Sequence, residues 1–179
     1  MKNLFRKIVN KVLLPNSQLA YAQSGEDLIL ANLFYKLGID KPSYLDIGAN
    51  DPCYISNTYY FYIRGSRGVC IEPNPVLYKK FKQTRPRDIV LNIGIGVDDL
   101  EEADFYLFPD YAHGLSTFSE QEALYWQETG MKTLGKIKYE KVIMVRLRNI
   151  NAIIRDNFKK MPDFISIDVD GLDLPILQS

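Results

Sequence analysis

The sequence predicts one α/β domain with a mostly parallel sheet and flanking helices. Stretches typical of strands alternate with stretches typical of helices, without repeats, low-complexity tracts or a Gly/Ser linker. Three short runs, 44–47, 68–72 and 164–168, are apolar on both faces, as buried parallel strands are. The chain of 179 residues is 46% hydrophobic and 25% charged, which fits a single domain with a sizeable core.

The chain begins with a basic amphipathic segment, taken here as residues 1–19, ahead of the main domain at 20–179. Residues 2–13 place apolar side chains at helical spacing, with lysines and arginines between them, and Pro15 follows. Such a segment can contact a membrane surface weakly or dock on a partner. We favour the alternative, a helix that packs on its own domain and keeps its basic face in solvent.

The remaining elements follow in order along the chain. A helix is predicted over 25–37, because its apolar residues share one stripe and Gly38 follows them. Strand 44–47, helix 56–64, strand 68–72 and a helix around 77–81 come next, followed by strand 89–93, which Gly94 closes. Further strands are expected at 105–108, 141–147 and 164–168, with a helix at 149–158. The segment 109–140 shows no clear pattern.

Composition and charge exclude several functional classes. The 22 basic and 22 acidic residues cancel, so nucleic acid is not an expected partner. No run reaches the roughly 18 to 20 apolar residues that span a bilayer, and the N-terminus lacks the features of a secretory signal. Two cysteines do not make a disulfide framework. We therefore expect reduced thiols and a cytoplasmic protein.

Three acidic residues stand at or near the ends of the apolar runs: Asp46, Glu72 and Asp168. Ligands of parallel sheets bind beyond the carboxyl ends of the strands, so these carboxylates should meet at one cleft. Gly48 permits a tight turn close to a ligand. Glu72 follows Gly48 at close to the roughly 20-residue spacing at which a second-strand carboxylate takes ribose hydroxyls. The pattern predicts an adenosine-containing cofactor.

The turn after the first strand indicates which cofactor this is. A dinucleotide calls for G-x-G-x-x-G, and here only Gly48 is present. The turn instead carries Asn50 and Asp51, and the added negative charge suits a sulfonium or ammonium group better than a diphosphate. S-adenosylmethionine is therefore the favoured cofactor, and a dinucleotide-dependent oxidoreductase is the weaker alternative.

Six motifs follow one another along the chain: YAQSGED at 21–27, YLDIGANDP at 44–52, SNTY at 56–59, IEPNP at 71–75, STF at 116–118 and IDVDG at 167–171. In these motifs the chain, from about residue 20 to its end, resembles the FkbM family of S-adenosylmethionine-dependent methyltransferases. The resemblance implies a Rossmann-like class I methyltransferase fold. It also implies O-methylation of a hydroxyl on a sugar or small metabolite, so the expected partner is a small-molecule or glycan acceptor. Pro52 departs from the general methyltransferase pattern, which has a further glycine near this position.

The resemblance also implies roles for individual residues. Glu72 would hold the ribose, with Pro73 beside it. The methionine side of the cofactor would contact Asp46, Gly48 and Asn50, and the adenine would contact Asn92 and Gly94. The residues that close over the cofactor would be Gln23, Ser24 and Glu26, with Ser116 near the cleft.

The acceptor side of the site is less completely specified. Asp168 is the candidate to orient or deprotonate an acceptor hydroxyl, and Asp170 and Asp173 are weaker candidates. The spacing of these three acids does not fit an EF-hand loop, so no metal is expected. His113 is another candidate base, although we favour a solvated loop histidine.

The resemblance implies further strands after the one that ends at Asp168. We therefore expect a domain that lacks its last strands, which would expose a sheet edge. Two hypotheses follow. One is a methyltransferase represented by a truncated chain, and the other is a non-catalytic module that binds S-adenosylmethionine or a partner.

Overall fold

The computed structural model describes residues 18–98, 100–131, 135–169 and 171–179. The predicted amphipathic segment 2–13 and the candidate Asp170 lie outside these residues. None of the helices in the described ranges is long and apolar enough to cross a membrane.

The chain alternates strands and helices, as the sequence predicts. The strands are β1 (Tyr44–Ile47), β2 (Gly68–Ile71), β3 (Ile89–Leu91), β4 (Gly94–Ile95), β5 (Glu102–Leu107), β6 (Lys141–Arg148) and β7 (Phe164–Ile167). The helices are α1 (Glu26–Lys36), α2 (Tyr59–Tyr62), α3 (Pro75–Thr84), α4 (Glu120–Thr129), α5 (Ile150–Asn157) and α6 (Asp173–Gln178), with a 3₁₀ helix at Asp110–Leu115.

Local capping explains where several helices begin. The Asn74 side chain accepts a hydrogen bond from the Val76 N–H, and Pro75 supplies a first residue already fixed in a helical φ. Ser119 and Asn149 cap α4 and α5 in the same way. Capping side chains satisfy N–H groups that have no partner inside the helix, so these polar residues fix the helix starts.

A parallel four-stranded sheet forms the centre of the domain, in the order β3-β2-β1-β7. Side chains on β1 alternate between its faces. Leu45 and Ile47 pack with residues of α5 and α6, including Ile153 and Ile176, while Tyr44 packs on the other face with Phe34 of α1 and Phe81 of α3. Helices therefore cover both faces, and the mixed α/β fold with a mostly parallel sheet is confirmed.

A second sheet of three strands lies in the order β4-β6-β5, with β5 antiparallel to β6 and β4 parallel to it. A third apolar cluster joins this sheet to the 3₁₀ helix and α4, through Tyr106, Phe108, Ala112 and Ala123. This unit accounts for much of the segment 109–140, which has no clear pattern in the sequence.

Several element boundaries differ from the prediction. The strand expected at 105–108 is Glu102–Leu107, and two further differences concern the path of the chain. The expected strand 89–93 ends at Leu91, and Gly94–Ile95 pairs with β6 in the second sheet. Ile93, on the far side of Asn92, is buried as well, so hydrophobicity does not mark where the chain leaves the first sheet. The helix expected over 56–64 is limited to Tyr59–Tyr62, with turns on both sides.

Candidate functional site

A cleft of about 530 Å³ opens beyond the carboxyl ends of β1, β2 and β7. Its far wall comes from the 3₁₀ helix and the residues that follow it. This volume is within the range of small-molecule and cofactor sites. The predicted site residues that line it are Gln23, Asp46, Gly48, Asn50, Glu72, Pro73, Ser116 and Asp168.

Glu72 joins the turns after β1 and β2. Its two carboxylate oxygens accept hydrogen bonds from the backbone N–H groups of Asn50 and Asn74, each at 2.7 Å. The side chain is buried, and burial raises its pKa to about 8, although the two N–H donors favour the ionised form. A carboxylate has about four acceptor positions, so two remain for a ligand.

Asp46 lies at the floor of the cleft and faces a buried polar network. Its Oδ2 accepts a hydrogen bond of 2.5 Å from the Thr58 hydroxyl. Burial raises the pKa of Asp46, and the nearby Arg85 guanidinium partly offsets this effect. The carboxylate is therefore held in place by the protein before any ligand arrives.

Glycine is required at position 48 because the backbone that follows strand β7 passes close to it. The φ of Gly48 is +75°, and a Cβ at this position would lie 2.1 Å from the carbonyl oxygen of Asp168. The sequence suggests a glycine that lets a ligand approach, whereas in the structure it is the backbone after β7 that approaches. The glycine thus brings the β1 and β7 ends of the cleft together.

The charge of Asp51 is compensated within the protein, which corrects one argument made from the sequence. Its carboxylate forms an ion pair with Lys80 and accepts hydrogen bonds from the N–H groups of Cys53 and Tyr54. Burial raises the pKa of Asp51, but these partners outweigh it and leave the pKa below its ordinary value. Asp51 therefore shapes the turn and is not a free charge for a sulfonium.

The predicted cofactor residues of the N-terminal motif divide into two groups. Gln23 lines the cleft. Ser24 and Glu26 do not line it: the Ser24 N–H donates to the Glu26 carboxylate at 2.9 Å, and both residues are exposed at the start of α1. A cofactor role for these two stays a prediction.

Neither of the two residues predicted beside the adenine lines the cleft. The Asn92 amide donates to the carbonyl oxygens of Glu72 and Pro73, each at 2.8 Å, and so fixes the turn that carries Glu72. Gly94 is buried in β4, where a Cβ would lie 2.5 Å from the ring of Phe118. Phe118 itself lines the cleft.

On the acceptor side, Asp168 is exposed in the cleft immediately after β7. Ser116 also lines the cleft, and its hydroxyl accepts a hydrogen bond from the Phe108 N–H at 3.1 Å. Asp173 accepts from the Val169 N–H at 3.1 Å and caps the turn ahead of α6. No group of three or more His, Cys, Asp or Glu side chains in the described ranges has the arrangement of a metal site.

His113 differs from the solvated loop histidine favoured from the sequence. It is half-buried in the cleft wall, and its Nδ1 is buried without a hydrogen-bond partner in the described structure. The Oδ1 atom of Asn50, in the same cleft, is in the same state. Two buried polar atoms without partners mark this wall as a place where a ligand or water would complete the hydrogen bonding.

Sequence reasoning does not find the aromatic residues at the cleft mouth. Tyr54 and Tyr111 line the cleft while remaining 70% and 69% exposed. Tyr54 follows the turn after β1, and Tyr111 belongs to the 3₁₀ helix in the segment without a pattern. Such residues are recognised by an aromatic side chain that is exposed at a cleft, and this exposure is known only from a structure.

The comparisons with known proteins assign the chain to a family. The family model described as "Methyltransferase FkbM domain" matches residues 46–179. The match begins at Asp46, so the 21–27 motif lies outside it. A search of curated proteins and a search of solved structures found no match.

Proposed function

The chain belongs to the FkbM methyltransferase family, and from this premise we propose that it uses S-adenosylmethionine to methylate a hydroxyl oxygen. The proposed acceptor is a sugar or another small metabolite. The proposed fold is the Rossmann-like class I methyltransferase fold. The parallel order β3-β2-β1-β7 supports this assignment, since such sheets bind ligands beyond their carboxyl ends, where the cleft lies.

The acidic lining of the cleft carries the choice of cofactor. Among the described residues that line it are four acidic side chains, Asp46, Asp51, Glu72 and Asp168, and no lysine or arginine. A diphosphate would find no basic side chain to neutralise it among these residues, whereas a cationic sulfonium or ammonium would favour the ionised forms of Asp46 and Glu72, whose pKa values burial raises. This argument replaces the one based on Asp51 alone, because Lys80 compensates the charge of Asp51.

The residues present fit an adenosine cofactor. Glu72 retains acceptor positions toward the cleft for the two ribose hydroxyls. Asn50 offers a buried amide oxygen without a protein partner, as a bound cationic amine would require. Gln23 adds a polar side chain from the segment before α1.

S-adenosylmethionine would supply a methyl group already activated by a sulfonium, so the protein has mainly to align the acceptor and exclude water. Phe105, Leu115 and Phe118 give the cleft apolar walls. Asp168 would accept the hydrogen bond, and finally the proton, of the acceptor hydroxyl. His113 is the second candidate for this role, because it lies in the same cleft.

Calorimetric titration with S-adenosylhomocysteine and with NAD⁺ tests the choice of cofactor. We expect S-adenosylhomocysteine to bind and NAD⁺ not to bind. An Asp46→Asn variant should bind S-adenosylhomocysteine about tenfold more weakly, because the amide replaces the carboxylate that is proposed to bind the methionine side of the ligand. Asp104→Asn is the matched control, since Asp104 is exposed on β5 and does not line the cleft.

Transfer of a labelled methyl group to a panel of sugars and hydroxylated metabolites tests the reaction. We expect transfer that falls strongly in Asp168→Asn. A larger fall in His113→Gln would move the base to His113. Binding of S-adenosylhomocysteine without any transfer would favour the non-catalytic module, and binding of NAD⁺ alone would overturn the proposal.

A further inference from the structure

The loop after β1, residues 48–58, has an unusual backbone. Asn50 and Ile55, with φ of 51° and 50°, are the two non-glycine residues of the described chain with positive φ. Asparagine tolerates this region, but a β-branched isoleucine there is a rare outlier. Such conformations persist only where the surroundings enforce them, and they cluster at ligand sites.

Two basic residues of one helix region hold this loop. Arg85, just after α3, donates to the Pro52 carbonyl and the Ser56 hydroxyl, each at 3.4 Å, and to the Thr58 hydroxyl at 3.0 Å. Lys80, on α3, forms the ion pair with Asp51. The loop is therefore fixed near both of its ends from the same side.

Arg85 is itself immobilised. Its guanidinium is fully buried and forms an ion pair of 2.7 Å with Asp88, and it also donates to the Tyr44 hydroxyl at 3.0 Å. Asp88 in turn accepts from the Gly68 N–H at the start of β2. The loop is thereby tied to the first residues of β1 and β2, the opposite end of the sheet from the cleft.

The same contacts reach the cleft carboxylates. Thr58, which accepts from Arg85, donates to Asp46, and Asn50 donates its N–H to Glu72. Movement of the loop would therefore displace the hydrogen-bond donors of two cleft side chains. Preorganisation of this kind lowers the ordering entropy that a ligand must otherwise overcome.

We propose that Lys80 and Arg85 are positioning residues that brace the strained 48–58 loop in the shape that binds the cofactor. The inference rests on the proposed function for the identity of the ligand. The bracing itself concerns the ligand-free protein and can be measured without any cofactor.

Lys80 gives the cleaner variant, because its side chain is 53% exposed and Lys80→Met leaves the core intact. We expect amide hydrogen exchange at Cys53 and Tyr54 to accelerate about three- to fivefold, the effect of losing a partly exposed ion pair. Affinity for S-adenosylhomocysteine should fall by a similar factor. Lys80→Arg should restore both, and Lys79→Met, a change of an exposed lysine on the same helix, should alter neither.

Thr58→Val removes the hydroxyl that links Arg85 to Asp46 and keeps both members of the ion pair between Arg85 and Asp88. We expect a fold stable enough to measure and at least tenfold weaker binding of S-adenosylhomocysteine, with Thr58→Ser close to wild type.

Equal loop exchange in Lys80→Met and Lys79→Met would overturn the bracing. Faster exchange with unchanged affinity in both Lys80→Met and Thr58→Val would show that the loop does not position the ligand. Absence of S-adenosylhomocysteine binding in the wild type would overturn the proposed function while the exchange result still stood.

Discussion

Replacing Glu72 with glutamine tests the proposed ribose contact through its pH dependence. The carboxylate is buried between two N–H donors, and its pKa rises from 4.5 to about 8. Hydroxyl donors from a ribose would stabilise the ionised form, so binding would release a proton below pH 8. Affinity should therefore increase as the pH rises towards about 8 and become constant above it.

The magnitude follows from the size of the shift. A ligand that binds only the ionised form gains about tenfold in affinity for each pH unit below about 8, or 1.36 kcal/mol per unit. The gain should be smaller than this limit, because the protonated form retains some affinity. We expect it to be at least about tenfold between about pH 6 and pH 8. Glu72→Gln should remove this dependence and weaken binding at pH 8 by about tenfold to a hundredfold, because one acceptor is lost.

The same shift has the opposite effect on stability. Since the folded pKa lies above the unfolded value of 4.5, folding takes up a proton between these values. The penalty for ionising buried Glu72 is absent below pH 4.5 and grows to about 4 to 5 kcal/mol as the pH rises to about 8. Wild type should lose stability across this interval relative to Glu72→Gln, as urea denaturation at several pH values would show.

Calorimetry with adenosine is the sharpest assay, because adenosine carries the ribose hydroxyls without an amine that titrates in this range. Buffers of different ionisation enthalpy count the protons released. Asp46 also has a raised pKa and interacts with Glu72, so the glutamine variant is needed to separate the two. Equal affinity of wild type for adenosine at pH 6 and pH 8, or an unchanged pH profile in Glu72→Gln, would refute the reasoning.

Three substitutions test the framework of the site. Gly48→Ala should cost more than about 3 kcal/mol in urea denaturation, because its Cβ would lie 2.1 Å from the Asp168 carbonyl oxygen at a φ of +75°; stability equal to wild type would contradict the close approach. Ile55→Gly should raise the unfolding free energy by about 1 kcal/mol by relieving its positive φ. An unchanged melting temperature would show that Ile55 is not strained. Tyr44→Phe should cost about 1–3 kcal/mol, because buried Asp88 loses the 2.9 Å bond from the phenol; a stability equal to wild type would show that the network compensates.

Three of the four strands of the central sheet follow from the sequence because they are short apolar runs with an acid at or near the end. Buried parallel strands must be apolar on both faces, which makes β1, β2 and β7 visible without a structure. The same logic places Asp46, Glu72 and Asp168 at one edge, and all three line the observed cleft. Their proposed roles remain predictions.

The parts that the sequence does not reveal depend on partners distant along the chain. Arg85 follows α3 with the pattern of a solvated helix end, and only the fold brings it to Thr58. The 3₁₀ helix and β4 are too short for any periodicity to appear. Whether Asp51 is a free charge depends in the same way on Lys80, a residue of a different element.

The position of β7 beside β1 sets the order in which the molecule can form. Ser43 and Asp163, at the starts of these strands, bond across 120 residues of chain. Such non-local contacts form late, because closing a long loop is entropically unfavourable. During synthesis, β1 through β3 can pair while the edge of β1 waits for β7. A nascent chain that has already exposed Glu72 therefore still lacks one side of its cleft, and ligand recognition becomes possible only after Asp168 has left the ribosome.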